Sequence, residues 1–308
     1  MKPIRLALVG LGKIARDQHL PAIAATPGIA LVAVASRNAR LDGVECFASV
    51  EELLAGVADV DAVALCTPPT PRRDQALAAL AAGKHLLLEK PPGAAVSELA
   101  PLKTLAENRG RTLFAAWHSR FAPAVEPARA FLARHRARRV TIIWKEDVRV
   151  WHPGQDWIFE PGGLGVFDPG INALSILTTI LPEPVFVVGA QLAFPANREA
   201  PIAAELELAT GSGLPIHAAF DFRQSGEQIW SIAIETDAGS LVLSAGGARL
   251  SHDGQALVDE PEREYRGVYG RFVELIQTES CDVDIVPLGL VADAFMLGRR
   301  SIVEDFAW

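Results

Sequence analysis

Residues 4–15, IRLALVGLGKIA, constrain this chain more tightly than any other stretch: a six-residue run, apolar but for Arg5, breaks at Gly10, and a helical pattern then continues to about Ala25. Strand, glycine turn and helix in immediate succession make the first half of a β-α-β unit. The spacing is GxGxxA. Gly10 suits the tight turn, Gly12 lets a pyrophosphate approach the backbone, and the small Ala15 lets helix pack on strand. An anion there meets the unpaired N–H groups at the helix start, with Lys13 and Ile14 beside it. Taken alone, the pattern also fits a plain strand-to-helix turn, so its surroundings decide. Residues 31–35, 62–66, 86–89 and 112–115 are further short apolar runs, and helical stretches such as 72–82 and 97–109 separate them. This alternation predicts a parallel, doubly wound sheet. Ligands of such sheets bind beyond the carboxyl ends of the strands, which here are Ser36-Arg37, Cys66-Thr67-Pro68-Pro69, Glu89-Lys90-Pro91-Pro92 and Trp117-His118.

The end of the second strand bears on the choice of dinucleotide. A chain that binds NAD usually carries a carboxylate there for the ribose 2′-hydroxyl, whereas this one has Ser36-Arg37. Arg37 can pair with a 2′-phosphate through two N–H groups and Ser36 can donate to it, so NADP is expected to be preferred and NAD tolerated. A solvated loop arginine is the plainer reading of Arg37.

At 308 residues, half of them hydrophobic, the chain is long enough for two domains. Its net charge of -8 argues against nucleic acid or an anionic membrane as partner, since both bind basic surfaces. Three widely spaced cysteines without a CxxC indicate neither a disulfide framework nor a metal site and fit a reducing cytoplasm. The opening residues read as a first strand rather than a signal peptide, because the apolar run stops at Lys13. No apolar run reaches the ~18 residues needed to span a bilayer.

The densest chemistry lies at residues 144–172, WKEDVRVWHPGQDWIFEPGGLGVFDPGIN, which gather Trp144, Trp151 and Trp157 beside Glu146, Asp147, His152 and Asp168. Gly162-Gly163 is expected to give the backbone freedom to pass close to a ligand. Residues 168–181 read as a helix with Asp168 in its first turn. Residues 185–194, 202–209, 216–223, 229–236 and 240–243 read as successive strands, and residues 287–300 as an amphipathic helix to which no chemistry is given. The expected fold is therefore α/β. An N-terminal Rossmann domain over 1–120 carries a parallel doubly wound sheet, and a C-terminal α+β domain over 121–308 carries a large, open, mainly antiparallel sheet.

GLGKIA at 10–15, LEKPP at 88–92 and GGLGVFDPGIN at 162–172 come in the order found in the Gfo/Idh/MocA oxidoreductases, which this chain resembles along essentially its whole length. DQHLPAI, LFAAWHSRFAP, WKEDVRVWHPGQDWI and GGLGVFDPGINALSI most resemble the bacterial members that oxidise D-galactose and L-arabinose at C1. The resemblance implies a nicotinamide cofactor, a sugar substrate and a homodimer or tetramer formed through the exposed face of the C-terminal sheet. One position departs from the wider family: many relatives have a histidine four residues after the aspartate, and here it is Asn172. An amide donates and accepts hydrogen bonds but exchanges no proton near neutral pH. The usual histidine role therefore does not carry over, although the galactose and arabinose subgroup also has asparagine there.

Oxidising a cyclic sugar at C1 removes a hydride to the nicotinamide and a proton from the C1 hydroxyl. Lys90, expected close to the cationic ring, is the first candidate to stabilise the alkoxide or relay the proton, and Asp168 the second. Asp168 and Asn172 share a helix face and can reach the same hydroxyl. His118, Glu146, His152 and Asn172 suit the hydroxyl groups, and Trp151 or Trp230 the apolar face of the ring. Oxidation of another sugar or polyol, such as glucose, xylose or inositol, and a catalytically silent sensor are the alternatives.

Overall fold

The apolar run Ile4–Val9, buried from Leu6 onward, forms β1 at the middle of a parallel sheet. The computed structural model describes residues 2–57 and 59–308. Around β1 stand β2 (Ile29–Ala35), β3 (Glu45–Phe47), β4 (Ala62–Leu65), β5 (His85–Glu89) and β6 (Leu113–Ala116), in the order β3-β2-β1-β4-β5-β6. Every pair is parallel. The order reverses between β1 and β4, the switch point at which the loops leaving the two strands part to make a crevice. β4 is wholly buried and carries no polar side chain, as a strand covered on both faces must be. β3 lacked a signal because it is three residues long and half-exposed at an edge.

This sheet belongs to a compact unit made of Met1–His118 and Tyr265–Ile285, while Ser119–Glu264 and Val286–Trp308 form a second unit. The segment Tyr265–Ile285, read above as part of 121–308, thus returns to the first unit. The reason lies in the helix Glu264–Gln277, whose Tyr265, Val268, Tyr269, Phe272 and Leu275 follow helical spacing and are all buried. Phe272 stacks on Phe114 of β6 at 6.3 Å, and Asp282 bonds to the β6 backbone through both its N–H and its C=O.

The second unit is built on β7 (Ala137–Lys145), β8 (Val185–Pro195), β9 (Ala203–Thr210), β10 (Pro215–Asp221), β11 (Ile229–Thr236), β12 (Gly239–Ser244), β13 (Arg249–His252), β14 (Gln255–Asp259) and β15 (Gly298–Val303). They form one sheet in the order β14-β13-β12-β11-β7-β10-β9-β8-β15, mainly antiparallel, with parallel pairs at β7-β10 and β8-β15. The inner face, with Val140, Ile142, Phe220 and Ile232, meets the apolar helix Phe167–Ile180. Phe167 packs edge-on against Phe220 at 5.8 Å, and Gly170 leaves room for the Phe220 ring, which an added Cβ would approach to 3.1 Å. The outer face alternates out of the core and exposes Phe186 (49%) and Val188 (61%) on β8, with Glu205 and Glu207 on neighbouring β9 and His217 on β10 beyond it.

The helix expected over 287–300 ends earlier, spanning Val286–Leu297. Gly298, where a Cβ would come within 2.5 Å of the Ala294 carbonyl, then starts β15 against β8. Among the described residues no helix is long and apolar enough to cross a membrane.

Candidate active site

In the first unit the glycine turn is tight where the motif requires it. Gly10 has φ +94°, and a Cβ there would lie 2.8 Å from Thr67 N and 2.9 Å from the Cys66 carbonyl carbon, so the loops after β1 and β4 touch at this point. Gly12 differs: nothing stands within 4 Å of where its Cβ would be. That open position, at the start of the helical run over 13–25, is what a pyrophosphate against the backbone needs. Exposed Lys13 pairs with Asp17 one turn on, Ile14 is exposed, and Ala15 is fully buried against the strand. Cys66 is buried, Thr67 donates to Gln75 at 2.6 Å, and Pro68 precedes the helix Pro69–Ala81. At the end of β2, Ser36 is half-buried and Arg37 exposed. Arg40 donates to the Ser36 carbonyl at 2.9 Å, and Arg16 to the Arg40 carbonyl at 3.3 Å, so this corner carries two cations beyond the one expected.

The end of β5 is built around charge. The Glu89 side chain is 3% exposed, and its Oε1 accepts from Tyr265 Oη and pairs with His19 Nε2 at 3.3 Å. His19 Nδ1 lies 2.7 Å from Tyr269 Oη. Burial alone would push the Glu89 carboxyl up, but hydrogen bonding from His19 and the charges of His19, His118 and Lys90 outweigh it and hold it down to about 2. Burial likewise opposes a charged His19, yet Cys66 and Glu89 raise its pKa to about 10. The pair is therefore ionised across the neutral range. Lys90 follows, half-buried, joined to Pro91 by a cis peptide bond. Buried Arg72 donates to the carbonyls of Thr67, Glu89 and Pro91, which ties the loop after β4 to both sides of Lys90. His118, past β6, lies nearly parallel to Tyr265, with ring centroids 5.0 Å apart and an interplanar angle of 19°.

In the second unit the ligand stretch closes on itself. Trp144 and Trp230 stand opposite each other in the β7-β11 register with rings 6.4 Å apart, and Trp151 lies 5.2 Å beyond Trp230 with part of its surface exposed. Trp230 Nε1 donates to buried Glu146 Oε2 at 2.9 Å. Asp147 caps the turn Val148–Trp151, accepting from Arg149 N, and thereby aims Trp151 and His152. His152 Nε2 lies 3.4 Å from Asp168 Oδ2, with the Phe222 ring 5.9 Å from the imidazole. Asp168 is buried in the first turn of Phe167–Ile180, where the helix dipole favours its anion, and half-buried Asn172 follows one turn later. Thus Glu146, Trp151 and Trp230 form one group, and His152 and Asp168 another, with Asn172 one turn along the helix from Asp168.

Trp157 bonds to Gln155 at 3.2 Å. One detail of the stretch differs from expectation. Gly163 serves the fold of the loop rather than the approach of a ligand: a Cβ there would come within 2.2 Å of the Trp157 carbonyl oxygen. Gly165 is equally confined, at φ +54°, where an added Cβ would come within 2.3 Å of Pro201 O.

The model of an oxidoreductase family with an NAD-binding Rossmann fold, Gfo/Idh/MocA, matches residues 4–117. Over 306 residues the chain is 49% identical to galactose 1-dehydrogenase of Pseudomonas fluorescens, a match that covers 99% of each. The chain belongs to the Gfo/Idh/MocA oxidoreductase family. A solved D-galactose-1-dehydrogenase from Rhizobium etli is 58% identical, with a TM-score of 0.95 over 100% of this chain and 99% of that one. A 3-ketoreductase from Actinomadura kijaniata, solved with NADP and TDP-benzene, shares the fold at 21% identity, with a TM-score of 0.85 over 98% and 100% of the two chains.

As a Gfo/Idh/MocA member the chain is an NAD(P)-dependent oxidoreductase, and its open Gly12 cradle beside the helix start fits a dinucleotide. Sequence reasoning missed His19, Arg72, Tyr265 and Tyr269. Tyr265, Tyr269 and Phe272, spaced by four and three, were the available sign of a buried helix face. Nothing in the sequence distinguishes Arg72 from the exposed Arg73 beside it.

Proposed function

We propose that this chain is an NADP-preferring aldose 1-dehydrogenase that oxidises galactose-configured pyranoses, D-galactose and L-arabinose, to their aldonolactones, with NAD tolerated. The observation that carries this reading is the grouping of Trp151, Trp230 and Glu146 alongside the His152-Asp168 pair, in a chain 49% identical to a galactose 1-dehydrogenase over nearly its full length. An aromatic face, a fixed buried acceptor and a polar pair are what a ring with one apolar face and alternating hydroxyls requires.

In this proposal Gly10, Gly12, Lys13 and Ile14 hold the pyrophosphate. Ser36 and Arg37 hold the 2′-phosphate, and Cys66, Thr67, Pro68, Glu89 and Lys90 line the rest of the dinucleotide. When bound, the nicotinamide supplies a hydride acceptor. Lys90 stabilises the C1 alkoxide as its proton leaves, and Asp168, fixed by His152 and the helix start, takes or relays that proton. Asn172 holds the same hydroxyl through its amide. His118, Glu146 and His152 bind the other hydroxyls, and Trp151 covers the C–H face with Trp230 behind it. D-galactose and L-arabinose share their configuration from C1 to C4, so one set of partners serves both. We further propose a cytoplasmic homodimer or tetramer that covers the outer sheet face around Phe186 and Val188.

The test is a panel of D-galactose, L-arabinose, D-glucose, D-xylose and inositol with NADP or NAD, followed by absorbance of the reduced nicotinamide. Galactose and arabinose should lead with NADP. Preference for glucose, xylose or inositol contradicts the substrate assignment, and silence with all five contradicts the enzyme reading.

A further inference from the structure

We propose that Tyr265 is a positioning residue for the sugar site: its ring is the fixed surface that sets the plane of the His118 imidazole. This rests on the reading of His118 as a sugar ligand. Tyr265 lies in the first turn of the helix Glu264–Gln277, distant in sequence from every residue assigned to the site, and is buried. Three contacts immobilise it. Its hydroxyl donates to Glu89 Oε1, the His19 ring meets it at 4.7 Å and 62°, and the His118 ring lies against it at 5.0 Å and 19°. Glu89 stays ionised because His19 opposes it, so the hydroxyl always has a charged acceptor. A tyrosine held at its hydroxyl and against a second ring cannot rotate without breaking a buried, charge-assisted hydrogen bond.

The consequence concerns His118. It is half-buried past the end of β6, with the Tyr265 ring against one face of its imidazole. Stacked on an immobile ring, it keeps one plane, and a sugar hydroxyl meets a preset nitrogen. Packing alone would ask only for a side chain of suitable volume. A positioning role asks for an aromatic face, and that difference can be measured.

Steady-state kinetics with D-galactose and NADP on wild type, Tyr265→Phe, Tyr265→Leu and His118→Ala make the test. Tyr265→Phe keeps the face but loses the hydroxyl anchor, and should raise the galactose KM less than the ring-less variants do. Tyr265→Leu should raise it roughly three- to tenfold, the scale of a lost aromatic pairing. His118→Ala should raise the galactose KM at least as much, and Tyr265→Leu should add little on top of it. Should the leucine variant not fold, Tyr265→Met fills the slot without a ring and makes the same comparison. Equal galactose KM values for the phenylalanine and ring-less variants overturn the proposal, as does a His118→Ala enzyme with unchanged KM. An active wild type that loses turnover in Lys90→Met but is indifferent to Tyr265→Leu keeps the dehydrogenase reading and removes this one.

Discussion

Replacing His19 with leucine removes the counter-charge of Glu89 and the partner of the Tyr269 hydroxyl while keeping a side chain of similar bulk. The fall of the Glu89 carboxyl from an ordinary 4.5 to about 2 corresponds to about 3 kcal/mol of native-state stabilisation. The rise of His19 from 6.5 to about 10 is larger, but part of it comes from Cys66, so the smaller figure is the better measure of the pair. Leaving the buried Tyr269 hydroxyl without its partner adds about 1 kcal/mol. For a unit of this size roughly 4 kcal/mol lowers the melting temperature by about 8–16 °C. The pH dependence has a definite sign. His19 is raised, so its contribution is complete below 6.5 and fades as pH climbs through about 10. Glu89 is depressed, so its contribution is complete above 4.5 and fades as pH falls through about 2. Calorimetry of both proteins across pH should therefore show the widest gap between 4.5 and 6.5, narrowing as the solution becomes alkaline. A variant that melts within a degree or two of wild type, or a gap that does not change with pH, refutes the claim that the pair is ionised and stabilising.

Other expectations follow from the same geometry. Lys90→Met and Asp168→Asn should each lower kcat by about 10²–10⁴-fold, and their pH-rate profiles should show which of the two limits proton removal; near-wild-type rates in both contradict the chemistry. Arg37→Ala should raise the NADP KM by about tenfold or more, the scale of a lost charge-assisted pair, and leave the NAD KM within about twofold. Equal changes refute a 2′-phosphate site. Val188→Glu places a charge on the outer sheet face and should shift the protein towards monomer in light scattering, whereas an unchanged mass places the interface elsewhere.

Much of this molecule was legible because its signals are local. β1 and β11 read from the apolar pattern with the bounds the structure has, since each is a short run ended by a turn. The helix carrying Asp168 and Asn172 read almost as well, from the apolar positions after Pro169. What escaped depends on residues far apart in the chain. The separation of 176 residues from Glu89 to Tyr265 hides a hydrogen bond that no spacing announces, and Arg72 looks solvated until three carbonyls converge on it. Asp168 read as a second candidate for the proton beside Asn172, and its contact with His152 emerges only where the turn capped by Asp147 aims the imidazole. Gly163 misled because glycine freedom near a site and glycine crowding inside a loop look alike in sequence.

Hydride transfer from C1 of a galactose-configured sugar can be followed with D-galactose deuterated at C1. With NADP, deuterium should appear on the reduced nicotinamide, with galactonolactone as the product and slower transfer than from unlabelled sugar in a single turnover. Deuterium retained in the oxidised sugar, or a cofactor that is reduced without gaining the label, would contradict it.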